Sequence, residues 1–156
     1  MRMTIERETM AEPTDLPRRF GTAPDLAEIE AIAAAAFETI PEELARHVEE
    51  VIIRVEDFPD AETEEEMELE TPFDLLGLYR GRPLSAKNVS DVVTDIDMIF
   101  LYRRPLLDFW CDSGEDLEHL VRHVLIHEIG HHFGYSDEDM ERLEDEADAR
   151  AAQAQA

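Results

Sequence analysis

The stretch HEIGHHFGYSD, His127–Asp137, says more about the fold than any other part of the chain. An α-helix advances about 100° and about 1.5 Å per residue, so residues four apart lie one turn apart on the same face. His127 and His131 can therefore both direct a ring nitrogen at one metal ion, at about 2.0–2.1 Å for zinc. Glu128 lies about 100° round the helix from His127, where it reaches a water beside the metal rather than the metal itself. The spacing predicts two metal ligands and a general base on one helix.

The residues after the two histidines predict a third ligand. A helix that ends near His132 or Phe133 favours a left-handed residue just beyond it, and Gly134 adopts that conformation without steric cost. The chain then reverses, which allows Asp137 to return to the ion. Three protein ligands and a water are typical of a catalytic zinc, whereas a structural zinc usually has four protein ligands. The single cysteine, Cys111, has no partner for a C-x-x-C pair, so the pattern favours the catalytic kind of site.

The composition is that of one globular domain. The 156 residues can bury a core, and the 44% hydrophobic content argues against a disordered chain. One cysteine excludes an intramolecular disulfide and fits a reducing compartment, and we expect it to be a small buried side chain. The first residues carry charge without the apolar core of a secretory signal, and no apolar run approaches the about 18 residues of a membrane span. We therefore expect a cytoplasmic protein that does not associate with membranes.

The formal net charge of −25 argues against one class of partner. Such a surface repels phosphate backbones, so we expect no nucleic-acid binding. Two acidic tracts, Glu56–Glu70 and Asp137–Asp148, carry much of the charge. They fit a solubilising surface, or a surface that attracts basic peptides or metal ions, and the sequence leaves both interpretations open.

Local patterns divide the chain into a tail, one domain and a short end. Residues 1–21 are polar and predict a flexible tail, residues 22–149 form the domain, and residues 150–156 are expected to fray. The predicted helices are Thr22–Ile40 with Thr22 and Asp25 as a capping pair, a short piece that starts on Pro41, a long helix from a Ser113 cap to about His132, and Glu138–Ala149. The predicted strands are Val51–Val55, Phe73–Arg80 and Asp95–Tyr102, with Glu56–Glu70 as a loop and Ser85–Ser90 as a turn.

With these residues in view, the chain resembles the minimal zincin-like metallopeptidases of bacteria, single-domain proteins with the motif H-E-x-x-H-x-x-G-x-x-D. The blocks that carry the resemblance, in the order of that family, are Phe37–Asp60, Leu75–Leu84, Ile99–Leu106 and Val124–Glu144. The resemblance implies a compact α+β zincin-like domain. In such a domain a small mixed β-sheet packs on the long active-site helix, with further helices at both ends of the domain.

The same resemblance implies a zinc-dependent metallopeptidase that hydrolyses peptide bonds in a peptide or an unfolded protein segment. It implies that His127, His131 and Asp137 bind the zinc ion and that Glu128 is the general base. A module that keeps the zincin core for metal or partner binding, without catalysis, is the alternative. The methionine turn of larger metzincins has no counterpart, because Met140 follows Asp137 by only three residues. The support beneath the metal is then either absent or supplied by another side chain.

Several residues around the motif allow two interpretations each. Tyr135 is the candidate donor to transition-state charge, or it packs against the core. The strand Asp95–Tyr102 is a sheet edge that binds an extended peptide, or a central strand covered on both faces. His119 and His123 continue the row of histidines at a spacing of four, and we interpret them as structural or surface residues, with His123 able to support the site. His132 is predicted to pack rather than to bind metal, and the oligomeric state is left open.

Overall fold

The computed structural model describes residues 21–81 and 96–154. Within these ranges the chain forms six α-helices, a short 3₁₀ helix and a three-stranded sheet. In chain order they are α1 (Leu26–Phe37), α2 (Glu42–Ala45), β1 (Ile52–Glu56), α3 (Ala61–Glu66), the 3₁₀ helix Pro72–Asp74, β2 (Gly77–Arg80), β3 (Met98–Tyr102), α4 (Arg103–Ser113), α5 (Leu117–His132) and α6 (Asp137–Ala154). This mixed architecture confirms the predicted α+β class. None of the described helices is long and apolar enough to cross a membrane.

The sheet has β3 at its centre. β3 pairs in parallel with β1 on one side and antiparallel with β2 on the other, so that Ile99 lies between Ile53 and Tyr79. Ile99 and Leu101 are fully buried. The interpretation of the segment Asp95–Tyr102 as a sheet edge is therefore wrong, and its almost continuous apolar sequence reflects a strand with neighbours on both sides.

One face of the sheet packs on α5. Gly77 of β2 lies so close to this helix that a Cβ atom there would come within 2.8 Å of a methyl carbon of Val124. α1 packs against α5 and β1, and α6 packs along α5. The core side chains that these elements share include Ile29, Ala33, Val55, Ile99, Leu101, Leu125, Ile129 and Leu143. Burial of each large apolar side chain contributes about 1.5–3 kcal/mol, so the core fixes α5 against the sheet.

Two helices begin later than predicted, because the capping residue is an aspartate. α1 begins after Asp25, whose carboxylate accepts the backbone N–H of Glu28 at 2.8 Å, and not at Thr22. α5 begins after Asp116, which accepts a backbone N–H at 2.9 Å, and the predicted cap Ser113 is the last residue of α4. Aspartate satisfies a free N–H at a helix start and also carries the charge that the helix dipole favours there.

Two helices are absent from the sequence prediction. α3 lies inside the tract Glu56–Glu70, which was predicted as a loop, and it is capped by Asp60. α4 follows β3 directly, and Pro105 occupies its first turn, where a missing N–H costs no helical hydrogen bond. The strand predicted over Phe73–Arg80 is shorter than expected, because Pro72–Asp74 forms the 3₁₀ helix.

The remaining boundaries are close to the predictions. β1 lies where a strand was predicted, and α2 begins after Pro41. α6 continues past the predicted end to Ala154, and Ala151 in its last turns is buried. The expectation that Cys111 is buried is wrong, since the residue is exposed. The predicted turn at residues 85–90 and the tail before residue 21 lie outside the described residues.

Candidate metal centre

The motif residues lie on the C-terminal half of α5, as predicted. The ring centroids of His127 and His131 are 5.8 Å apart, with the ring planes at 78°. The side chain of His131 is 58% exposed, and that of His127 is more than a quarter exposed. Both imidazoles are therefore within reach of an ion or a substrate from outside the fold.

The turn after α5 has the predicted form. Gly134 has a φ of +81°, the left-handed conformation in which a side chain would be strained. The N–H of Tyr135 donates to the carbonyl of Gly130 at 2.9 Å and closes the turn. Asp137 is the first residue of α6, and its Oδ1 atom lies 3.9 Å from Nε2 of His131. The turn brings this carboxylate back beside the second histidine of the motif.

The structure brings His131 and Asp137 together, but it does not bring the three predicted ligands within 4.8 Å of one another; the described side chains that meet that distance are His123, His127 and Glu144. Tetrahedral zinc with bonds of about 2.0–2.1 Å holds neighbouring ligand atoms about 3.3 Å apart. The distance between His131 and Asp137 is only slightly longer, and the Asp137 side chain is 96% exposed, so it is free to rotate. Burial, followed by the neighbouring His123, lowers the pKa of His127, which favours the neutral imidazole that binds metal. Imidazole and carboxylate together are a donor set that zinc prefers.

Glu128 lies between α5 and β2. The backbone N–H of Tyr79 lies near its carboxylate and favours the charged form. Burial raises the pKa of Glu128, and the neighbouring His131 and the backbone N–H of Tyr79 oppose that rise in part. The carboxyl group is thus shifted toward the proton affinity that a general base needs at neutral pH.

The edge of β2 lies directly beside Glu128. The N–H of Tyr102 donates to the carbonyl of Leu76 at 3.0 Å, so the register makes Leu78 the next residue of β2 to bond with β3. The peptide groups of Gly77 and Tyr79 then point away from β3, and no other described strand pairs with β2. Among the described strands this edge of β2 is unpaired, and of its outward groups the N–H of Tyr79 is already directed at Glu128.

Two aromatic side chains of the motif region contact the fold. The hydroxyl of Tyr135 lies 3.2 Å from Nε2 of His47 and donates to the carbonyl of Glu43 at 3.3 Å. His132 is exposed and stacks on the ring of Tyr79 with centroids 4.0 Å apart, and that it does not bind metal stays a prediction. The role of Tyr135 as a donor to transition-state charge stays a prediction, and it requires the hydroxyl to leave these two partners.

Glu144 is the residue that the sequence interpretation missed. Its Oε1 atom lies 3.6 Å from Nε2 of His127, and its other oxygen contacts Nδ1 of His123. The side chain is only 14% exposed. Glu144 follows Asp137 by seven residues, which is two helical turns, so both carboxylates lie on the face of α6 that meets α5. The spacing of seven residues from Asp137 is the sequence signal by which Glu144 could have been found.

Met140 lies beneath the motif helix rather than in a separate turn. It is fully buried, and a Cβ atom at Gly130 would come within 2.4 Å of its sulfur. Gly130 stands between the two motif histidines, so the sulfur packs against the backbone of the helix that carries them. The methionine turn of larger metzincins is absent from the described residues, and a methionine on the following helix occupies the space under α5.

The comparison with known protein families agrees with the geometry. A family model described as zincin-like metallopeptidase matches residues 48–147, which is well over half of the chain and spans β1 to the middle of α6. The chain belongs to the zincin-like metallopeptidase family. The matched range contains every residue of the candidate centre. Among curated proteins, none matches this chain.

Proposed function

We propose that this chain is a zinc-dependent metallopeptidase that cleaves peptides or unfolded protein segments. The observation that supports the proposal is the packing of α5 on β2, with the carboxylate of Glu128 near the backbone N–H of Tyr79, at the edge of β2 that pairs with no other described strand. Membership of a metallopeptidase family supports the reaction class. The acidic surface does not favour nucleic acid as an alternative substrate.

His127, His131 and Asp137 would hold the ion. The chemistry that zinc supplies when bound is a lowered pKa for water and polarisation of the substrate carbonyl. Three protein ligands leave one coordination position free for solvent or substrate. The exposure of His131 and Asp137 keeps that side of the centre open.

Glu128 would transfer the proton. Its carboxylate takes a proton from the attacking water, whose oxygen forms a bond to the carbonyl carbon of the substrate. When the C–N bond breaks, Glu128 gives that proton to the leaving amine nitrogen. The raised pKa of Glu128 suits both steps, because a carboxyl group with a pKa nearer neutrality both accepts and returns a proton readily.

An extended peptide would bind along β2. The outward peptide groups of Gly77 and the carbonyl of Tyr79 can pair with a substrate backbone in the manner of an added strand, while the N–H of Tyr79 is directed at Glu128. Such pairing recognises the main chain and needs no particular side chain, which suits unfolded segments. It would also bring the scissile bond close to Glu128, since the N–H of Tyr79 already lies near that carboxylate.

The test is unbiased peptide-cleavage profiling of the wild type and Glu128→Gln, with zinc content measured on the same samples. Glu128→Gln should keep its zinc and lose about 10²–10⁴-fold in activity, the usual contribution of a general base. Glu138→Gln, an exposed acidic residue on the first turn of α6, is the matched control and should cleave normally. Equal cleavage by wild type and Glu128→Gln would show that the base is wrongly assigned. Zinc binding without any cleavage would favour the non-catalytic module.

A further inference from the structure

A second group of side chains that could hold a metal ion lies where α5 meets α6, with two histidines on α5 and a glutamate on α6. We propose that His123, His127 and Glu144 form a second position for a divalent cation of the zinc class, which we call the upstream set. It shares His127 with the motif set of His127, His131 and Asp137. The inference rests on the proposed function in one respect, which is that both sets use the imidazole of His127.

The geometry of the upstream set is that of a three-donor site. One ligand atom from each of the three side chains lies within 4.8 Å of the other two. The carboxylate of Glu144 contacts His123 with one oxygen and lies 3.6 Å from Nε2 of His127 with the other. The two rings are 4.1 Å apart and tilted by 30°. Two imidazoles and a carboxylate are the donors of many zinc sites.

Contacts four residues before and four residues after Glu144 on α6 hold its carboxylate in place. Four residues further on, Asp148 lies 3.2 Å from His119 and accepts from Nε of Arg122 at 3.1 Å. Four residues before it, Met140 packs under Gly130. These contacts fix how α6 lies along α5, so Glu144 faces His123 and His127 without rotation of the helix. Asp137 has no such constraint, since its side chain is almost fully exposed.

The shared imidazole makes the two positions exclusive. The atom of His127 that faces Glu144 is Nε2, and an ion bound there cannot leave the same lone pair for the motif set. The chain should therefore bind one ion, divided between the two positions according to their affinities. An ion in the upstream set lacks His131 as a ligand, so the upstream position is a resting position for the metal.

The experiment is titration with Co²⁺ alone, followed by visible absorption and by native mass spectrometry for stoichiometry. Wild type should bind one ion, and His131→Ala should also bind one, with a changed spectrum. The double variant His131→Ala with Glu144→Gln should bind at least about ten-fold more weakly than His131→Ala. His127→Ala should remove binding at both positions.

The outcomes separate this inference from the proposed function. If wild type binds one Co²⁺ and His131→Ala binds none, the upstream set does not exist and the motif site still stands. If Glu144→Gln leaves the affinity of His131→Ala unchanged, the ion in that variant is adventitious and the inference is overturned. If wild type binds no ion, both proposals fail. Circular dichroism checks the fold of each variant, and His123→Gln, at a part-exposed position, provides a second removal of one upstream ligand.

Discussion

A side chain at Gly130 should clash with Met140. A Cβ atom at this position would lie 2.4 Å from the sulfur of Met140 and 2.7 Å from its Cγ atom. Overpacking of this kind costs about 1–3 kcal/mol. Replacing a glycine inside a helix by alanine gains about 1 kcal/mol from helix propensity alone. We therefore expect Gly130→Ala to lower the free energy of unfolding by up to about 2 kcal/mol.

A double-mutant cycle separates the clash from the helix propensity. Met140→Ala alone should cost about 2–5 kcal/mol, because it removes a fully buried side chain. In that background there is room for the new methyl group, so adding Gly130→Ala should raise the free energy of unfolding by about 1 kcal/mol. The effect of the same substitution thus changes sign, and the coupling energy is about 1–3 kcal/mol.

The assay is urea denaturation of the four proteins with a chelator present, so that bound metal does not contribute. Gly130→Ala that stabilises the wild type by about 1 kcal/mol, as at an ordinary helical position, would refute the packing of Met140 beneath the motif helix. Equal effects of Gly130→Ala in the wild type and in the Met140→Ala variant would also refute this packing.

Three further predictions concern the turn, the acidic tract and the ion. Gly134→Ala should cost about 1–2 kcal/mol in urea denaturation, because φ is +81°, while Gly134→Asn should cost less; equal costs would contradict this reason. Asp60→Ala should lower the free energy of unfolding by uncapping α3, with Asp60→Asn close to wild type at pH 7. Hydrogen bonds from Thr63 lower the pKa of Asp60, so the carboxylate's stabilising effect is present above its ordinary value of 3.8 and is lost as pH falls through the lowered value. A difference in stability between the wild type and the Asp60→Asn variant that does not change with pH would argue against this stabilising effect of the Asp60 carboxylate. Zinc at 100 times its Kd should stabilise the wild type by about 2.7 kcal/mol and His127→Ala not at all, as read from thermal melts; an equal shift in both would place the ion elsewhere.

The parts of the site that the sequence predicts are those that depend on local geometry. His127, Glu128 and His131 take their relative positions from the pitch of one helix, and the pitch is the same in every protein. Gly134 takes its conformation from the end of that helix, and its φ of +81° agrees. The apolar run of β3 likewise predicts a strand, because its side chains alone indicate burial.

Local sequence patterns do not predict the order of the strands in the sheet. Among the described strands, β3 is central and β2 lies at an edge because of pairings between residues that are about twenty to forty-five apart in the chain. An apolar run fits either a central strand or a hydrophobic edge, so the sequence leaves both alternatives. The helix α3 is similar, since a tract rich in carboxylates looks like a loop until the cap at Asp60 and the contact of Glu66 with Arg80 are seen.

The sequence by itself determined that His127 and His131 share one helical face, that Glu128 lies about 100° round the helix from His127, and that the chain turns back just after them. Only the tertiary structure decided which other groups meet that face: the edge of β2 beside Glu128, the sulfur of Met140 under Gly130, and Glu144 against His127. The physical reason is the separation along the chain over which each effect acts. Helical periodicity fixes neighbours within a few residues, whereas packing between α5, α6 and the sheet is set by the burial of a core whose members come from the whole domain.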